Sequence, residues 1–176
     1  MFYKLTARLL EYPQQALLDA LSDLRPLLTT LPAEESSVLG AFMQGLSAQT
    51  LTAAQADYVQ TFDMAPAHSL HLTHHLFGDD KNRGPALIDL SEYYKHYGLE
   101  LAANDGRFEE LPDYLPLMLE FVSQLEADEA RLFLSQWNKV LQQLAANLER
   151  ADSAYAPVLR LLEQRSALLQ PQAAMA

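Results

Sequence analysis

The chain contains no cysteine. That excludes a disulfide framework and thiol catalysis, and it removes the commonest ligands of structural zinc. Basic side chains are scarce: 12 lysines and arginines stand against 23 aspartates and glutamates, a net charge of −11. Nucleic-acid binding rests on neutralising phosphates with Lys and Arg, so no such partner is expected. No apolar run reaches the roughly 18 residues a membrane span needs, and no membrane insertion is expected. The opening Met1-Phe-Tyr-Lys-Leu-Thr-Ala-Arg8 is broken by charge before a signal-peptide core could form. The expected location is the cytoplasm. Runs of β-branched residues with period-two alternation, the mark of strands, are missing as well.

What is present reads as helix. The chain has 176 residues, enough for a core that buries roughly 70% of the unfolded surface. One helical domain over residues 1–170 is expected, with a frayed tail at 171–176. Residues 33–46 place Val38, Leu39, Phe42, Met43 and Leu46 at helical spacing. Residues 50–62 present Leu51, Tyr58, Val59 and Phe62. Residues 85–97 have Pro85 in the first turn and Gly98 just past the end. Residues 128–149 carry one stripe of Phe133, Trp137, Val140, Leu141, Leu144 and Leu148. A last pattern over 154–169 has Tyr155, Val158, Leu159, Leu162 and Leu169. Pro26 should end or kink a helix begun near residue 14. The fold class is all-α, a bundle of about seven to eight helices.

Chemistry concentrates in residues 57–93, which hold four of the five histidines between two helical patterns. Connections in helix bundles are ordinarily short and bland. His71, His74 and His75 have i, i+3, i+4 spacing, so one helix face could offer imidazoles to a metal. The carboxylate partner of a zinc-hydrolase pattern is missing, so a partly exposed His-rich helix is the better reading and no metal ligand is expected. Asp89, Glu92 and His96 are spaced as an acid–base set or as the wet face of an amphipathic helix. Gly78-Asp-Asp-Lys-Asn-Arg-Gly84 is a charged turn; Gly78 can end a helix and Asn82 can cap the next. The planar fork of Arg83 suits a carboxylate such as Asp63, Asp89 or Glu120, which would make it a clamp for the loop. In Glu109-Glu-Leu-Pro-Asp-Tyr-Leu-Pro116, Asp113 as N-cap would put Pro116 at the third helical position. Leu117-Met-Leu-Glu-Phe-Val122 then reads as a buried helix, in which Glu120 either reaches the surface or needs a partner. Between Glu100 and Glu129 nine acids face Arg107 alone, a solvated surface or one that attracts a basic segment.

Five ordered blocks carry a resemblance. They are Tyr58-Val-x-Thr-Phe-Asp63, Ser69-Leu-x-Leu-x-x-His75, Gly78-Asp-x-x-x-Arg-Gly84, Asp89-Leu and Glu110-Leu-Pro-Asp-Tyr-Leu-Pro-Leu-x-Leu-Glu120. Together with Arg8-Leu-Leu-Glu-Tyr-Pro13 they closely resemble the NarJ family of nitrate reductase molybdenum-cofactor assembly chaperones. The resemblance implies an all-helical, non-enzymatic chaperone without a cofactor of its own. Its implied partner is the N-terminal peptide of the nitrate reductase catalytic (alpha) subunit, held until the molybdenum cofactor is inserted. The family signature falls on Asp63, Ser69, His75, Arg83, Asp89, Glu110, Pro112, Asp113 and Glu120. Peptide-binding residues are expected among these and their aromatic neighbours: Tyr58, Phe62, Asp63, Ser69, Leu72, His75, Arg83, Asp89, Tyr93, Glu110, Asp113, Tyr114 and Glu120. His71 and His74 stand where the family has an apolar residue and an acid, and Lys81-Asn82 replaces Arg-Asp. Two other readings stay open. The client could be another molybdoenzyme, such as a dimethyl sulfoxide or trimethylamine oxide reductase. From a different class, the chain could be a metal-dependent enzyme using the 68–75 histidines.

Overall fold

The computed structural model describes residues 1–78, 80–99 and 110–167. Among them the chain forms ten α-helices and no strand. They are α1 (Phe2–Leu10), α2 (Gln15–Leu24), α3 (Ala33–Ser47), α4 (Leu51–Tyr58), α5 (Leu72–Phe77), α6 (Arg83–His96), α7 (Leu115–Val122), α8 (Ala127–Ser135), α9 (Asn138–Arg150) and α10 (Ala156–Ser166). The all-α class expected from the sequence is what the chain adopts; the number of helices is higher than the seven or eight expected. The acids Glu100, Asp105 and Glu109, together with Arg107, Leu169 and the tail at 171–176, lie outside the described residues.

Two pairings organise the core. Helix α1 buries Phe2, Leu5, Leu9 and Leu10 and leaves Lys4 and Arg8 outside. It packs on α7, whose Leu115, Met118, Leu119 and Val122 are all buried. Helices α9 and α10 form the second pair, closing Leu141, Leu144 and Leu148 onto Val158, Leu159 and Leu162. Burying one such side chain contributes about 1.5–3 kcal/mol.

Helix ends follow local chemistry. The Thr50 hydroxyl accepts from the Ala53 amide and caps α4. Pro26 ends α2, as expected, and Arg25–Thr30 continue as a 3-10 turn. Gly98, with φ +74°, closes α6: its amide reaches the Lys95 carbonyl and the Leu99 amide that of Tyr94, the paired bonds of a Schellman stop. Gly78, at φ +54°, ends α5.

Two expectations are corrected. The stripe at 128–149 is two helices, because Gln136 and Trp137 close with i→i+3 bonds. Both stay near helical dihedrals, so the apolar phase continues across the bend. Asp113 is not the N-cap of α7. That position is Tyr114, and Pro116 is the second helical residue rather than the third. Asp113 turns inward instead.

Candidate functional site

The chain brings its signature residues together by pairing two segments far apart in sequence. The Leu72 amide donates to the Asp113 carbonyl at 3.0 Å, and the Leu115 amide to the Leu70 carbonyl at 2.8 Å. The 69–73 stretch therefore lies antiparallel to 113–115, with His71 opposite Tyr114. One side of this junction is buried and one faces out.

The buried side is a clamp on Asp113, which is fully buried. Its Oδ1 accepts from His71 Nδ1 at 3.1 Å. Its Oδ2 accepts from both the Thr73 amide, at 3.1 Å, and the Thr73 hydroxyl. Arg83 Nη2 lies 3.6 Å from Oδ2, and Arg83 Nε donates to the Thr73 hydroxyl at 3.1 Å. Burial alone would raise the Asp113 pKa. The hydrogen bonds from His71 and Thr73 outweigh it and hold the carboxyl below its ordinary range. Arg83 is thus the clamp the sequence suggested, but its partner is Asp113, not Asp63, Asp89 or Glu120.

Three of the histidines, His68, His71 and His75, are committed to structure by hydrogen bonds. His75 Nε2–H donates to the Ser69 carbonyl at 2.7 Å, and burial lowers its pKa. His68 Nδ1–H donates to the Thr61 carbonyl at 3.0 Å. Among the described residues no three His, Asp or Glu side chains converge as a metal site would require. The proposed set on one helix face does not form: His71 is the N-cap of α5 and turns to Asp113.

The outward side is a rim centred on Tyr114. Its hydroxyl meets that of Tyr58 at 2.9 Å, and Tyr58 donates to the Leu10 carbonyl at 3.2 Å. Tyr58 packs edge-on to Tyr12 and is tilted against Phe62, with centroids 5.5 and 4.9 Å apart. Three carboxylates, Glu110, Glu11 and Asp63, act electrostatically on Tyr114, and a fourth, Glu120, acts on Glu11. Burial pushes the Tyr114 pKa up to about 12, aided by Glu110, Glu11 and Asp63. Burial also raises the Glu11 pKa, and Glu120 and Glu110 add to it against the opposing pull of Arg8. Arg8, 2.6 Å from Glu11, supplies the one ion pair on the rim among the described residues. Tyr12, beside Tyr58, is an exposed apolar group, as are Met64 and Leu111, the chain neighbours of Asp63 and Glu110. A π-helical turn over Val59–Asp63 sends Phe62 inward and Asp63 outward.

The thirteen expected residues thus sort into three places. Asp63, Glu110, Tyr114 and Glu120 belong to the rim, with Tyr58 and Phe62 buried beneath it. Ser69, Leu72, His75, Arg83 and Asp113 belong to the clamp or the core below; Leu72 is fully buried. Asp89 and Tyr93 sit on the outer part of α6, where Tyr93 stacks on Phe133 of α8 with centroids 5.5 Å apart. Sequence reasoning passed over Thr73, Glu11 and Tyr12. The last two lie inside the Arg8–Pro13 block. Thr73 falls at an unassigned position between Leu72 and His75.

A groove of about 390 Å³ adjoins the same aromatic stack, lined by Phe42, Leu46, Asp57 and Tyr155 among others. Tyr155 packs on Phe62 with ring centroids 4.7 Å apart.

These features define an all-α bundle whose polar chemistry is spent on shaping a surface. The chain belongs to the nitrate reductase delta subunit family, whose model matches residues 14–160. It is 37% identical over 161 residues to the nitrate reductase molybdenum cofactor assembly chaperone NarJ of Escherichia coli, covering 90% of this chain and 66% of that protein. Against the probable assembly chaperone NarJ of Bacillus subtilis identity is 31% over 155 residues, covering 88% and 82%. The nitrate reductase-like protein NarX of Mycobacterium tuberculosis is 32% identical over 149 residues, 84% of this chain but 22% of that one. The chain thus spans just under two thirds of the length of the E. coli relative.

Proposed function

We propose that this protein is a nitrate reductase assembly chaperone, acting in the cytoplasm and supporting insertion of the molybdenum cofactor into the catalytic subunit. Family membership over residues 14–160 carries the reading, and the names of its E. coli and B. subtilis relatives agree with it. Among the described residues no helix is long and apolar enough to cross a membrane, which is compatible with that location.

The client contact is the N-terminal segment of the catalytic subunit, bound as an amphipathic helix with basic residues. The rim supports this. Its carboxylates Asp63, Glu110 and Glu120 have no ion-pair partner among the described residues, and Tyr12, Met64 and Leu111 are exposed apolar groups next to Tyr58 or to these acids in the chain. An amphipathic cationic helix meets both demands at once. Each well-buried anchor contributes about 1.5–3 kcal/mol, and ordering the segment costs about 2–5 kcal/mol. Two anchors barely break even, while three or four hold a partner that can still be released. The chemistry is binding and orientation; no bond is made or broken by the chain.

Calorimetric titration of a synthetic N-terminal peptide of the catalytic subunit at two salt concentrations tests this. Binding that weakens with salt is expected. Absence of binding at both concentrations rules the peptide contact out. Pull-down with nitrate, dimethyl sulfoxide and trimethylamine oxide reductase subunits separates the possible clients.

A further inference from the structure

We propose that Thr73 is a positioning residue for the partner-binding rim, and that occupancy of the rim and order of the 69–78 segment are coupled through it. The inference rests on reading the rim as the peptide contact.

The Tyr114 backbone bonds only locally, its amide to the Leu111 carbonyl and its carbonyl to the Met118 amide, so its ties to 70–73 run through its neighbours and its ring. On one side Asp113 takes the Leu72 amide on its carbonyl and Thr73 on its side chain. On the other the Leu115 amide is tied to the Leu70 carbonyl. The His71 ring lies against the Tyr114 ring, centroids 5.3 Å apart. Four consecutive residues, 70–73, thus bracket one rim residue from behind.

Thr73 is the joint of the bracket. It is 1% exposed. Its hydroxyl donates to Asp113 and accepts from Arg83 Nε, so one hydroxyl links α5, α6 and the segment that leads into α7. A hydroxyl is the group that can do both; an apolar side chain of the same shape does neither. Without it Asp113 loses a donor and the Arg83 Nε–H loses its acceptor, in a site where unmet hydrogen bonds are costly. The Tyr114 ring would then have a looser base from which to meet Tyr58 and the partner. Coupling between two sites is reciprocal, so a partner that fixes Tyr114 must also steady residues 69–78.

The test compares the native protein with Thr73→Val, which keeps the shape, and Thr73→Ser, which keeps the hydroxyl. Arg165→Gln serves as a control, since it breaks an ion pair with Glu35 at 2.7 Å that touches neither bracket nor rim. Amide hydrogen exchange of the free proteins is read over residues 110–118, and peptide affinity by fluorescence anisotropy. In Thr73→Val, exchange over 110–118 should be faster and the Kd about fivefold weaker. Thr73→Ser should restore both, and Arg165→Gln should change neither. In the native protein, peptide should slow exchange over 69–78. Exchange over 110–118 unchanged in Thr73→Val overturns the positioning role. An unchanged Kd in a variant with faster exchange overturns the coupling and leaves the clamp a purely structural device. If the native protein binds no peptide, the proposed client contact fails instead, and the exchange result still decides the positioning role. Should Thr73→Val not fold, Arg83→Gln removes the donor to the same hydroxyl and is read in the same way.

Discussion

Within Glu110–Glu120 three carboxylates meet opposite fates. Asp113 is fully buried and accepts hydrogen bonds from His71 and Thr73 with Arg83 beside it. Glu110 and Glu120 are exposed and have no ion-pair partner among the described residues. One short motif therefore contains both the clamp that builds a surface and the groups that surface presents. The difference teaches how to divide the signature: a buried acid with donors to satisfy answers to folding, while an exposed acid without partners is left free for solvent or a ligand.

The clamp should break first and most. Asp113→Ala removes the acceptor for three donors and leaves buried polar groups unmet. Stability should fall by about 3–5 kcal/mol, measured by urea unfolding. Tyr114→Phe stands on the boundary. It deletes the hydroxyl contact to Tyr58, and about 1 kcal/mol of stability should go with it.

A pH test sharpens the same division. Burial lowers the His75 pKa in the folded protein, so folding favours the neutral ring. The unfolded chain binds the proton more readily, and stability should decline as pH falls below about 6.5. His75→Gln should flatten that slope in denaturation midpoints between about pH 7 and pH 5. Asp113, with its lowered pKa, gives stability that persists above the ordinary carboxylate range and is lost only in stronger acid. The smallest stability effect belongs to the rim: Glu110→Gln with Glu120→Gln should alter unfolding by no more than about 0.5 kcal/mol.

Much of this was legible in the sequence, for local reasons. The start and stop of α6 follow from Pro85 and Gly98, and the end of α2 from Pro26, because proline fixes its own φ and glycine accepts the positive φ of a helix stop. The clamp role of Arg83 was legible from its fork geometry. Its partner was not, because Asp113 stands 30 positions further on and only the antiparallel pairing of 69–73 with 113–115 joins them. Thr73 was invisible for a related reason: a lone threonine among leucines and histidines says nothing until its acceptor is placed. The bend at Gln136–Trp137 escaped because it keeps helical dihedrals and so preserves the apolar stripe. The histidine spacing fails as a one-face pattern for a different reason. An i, i+3, i+4 pattern presumes a helix through all three, and α5 begins only after His71.

The central claim is that the clamp shapes and the rim recognises. Titrating the catalytic-subunit N-terminal peptide into native protein and into the Glu110→Gln/Glu120→Gln double variant, at low and high salt, tests it most directly. Affinity should fall about tenfold in the variant at low salt, with less salt dependence and an unchanged unfolding midpoint. Native affinity with native salt dependence in that variant would contradict the account.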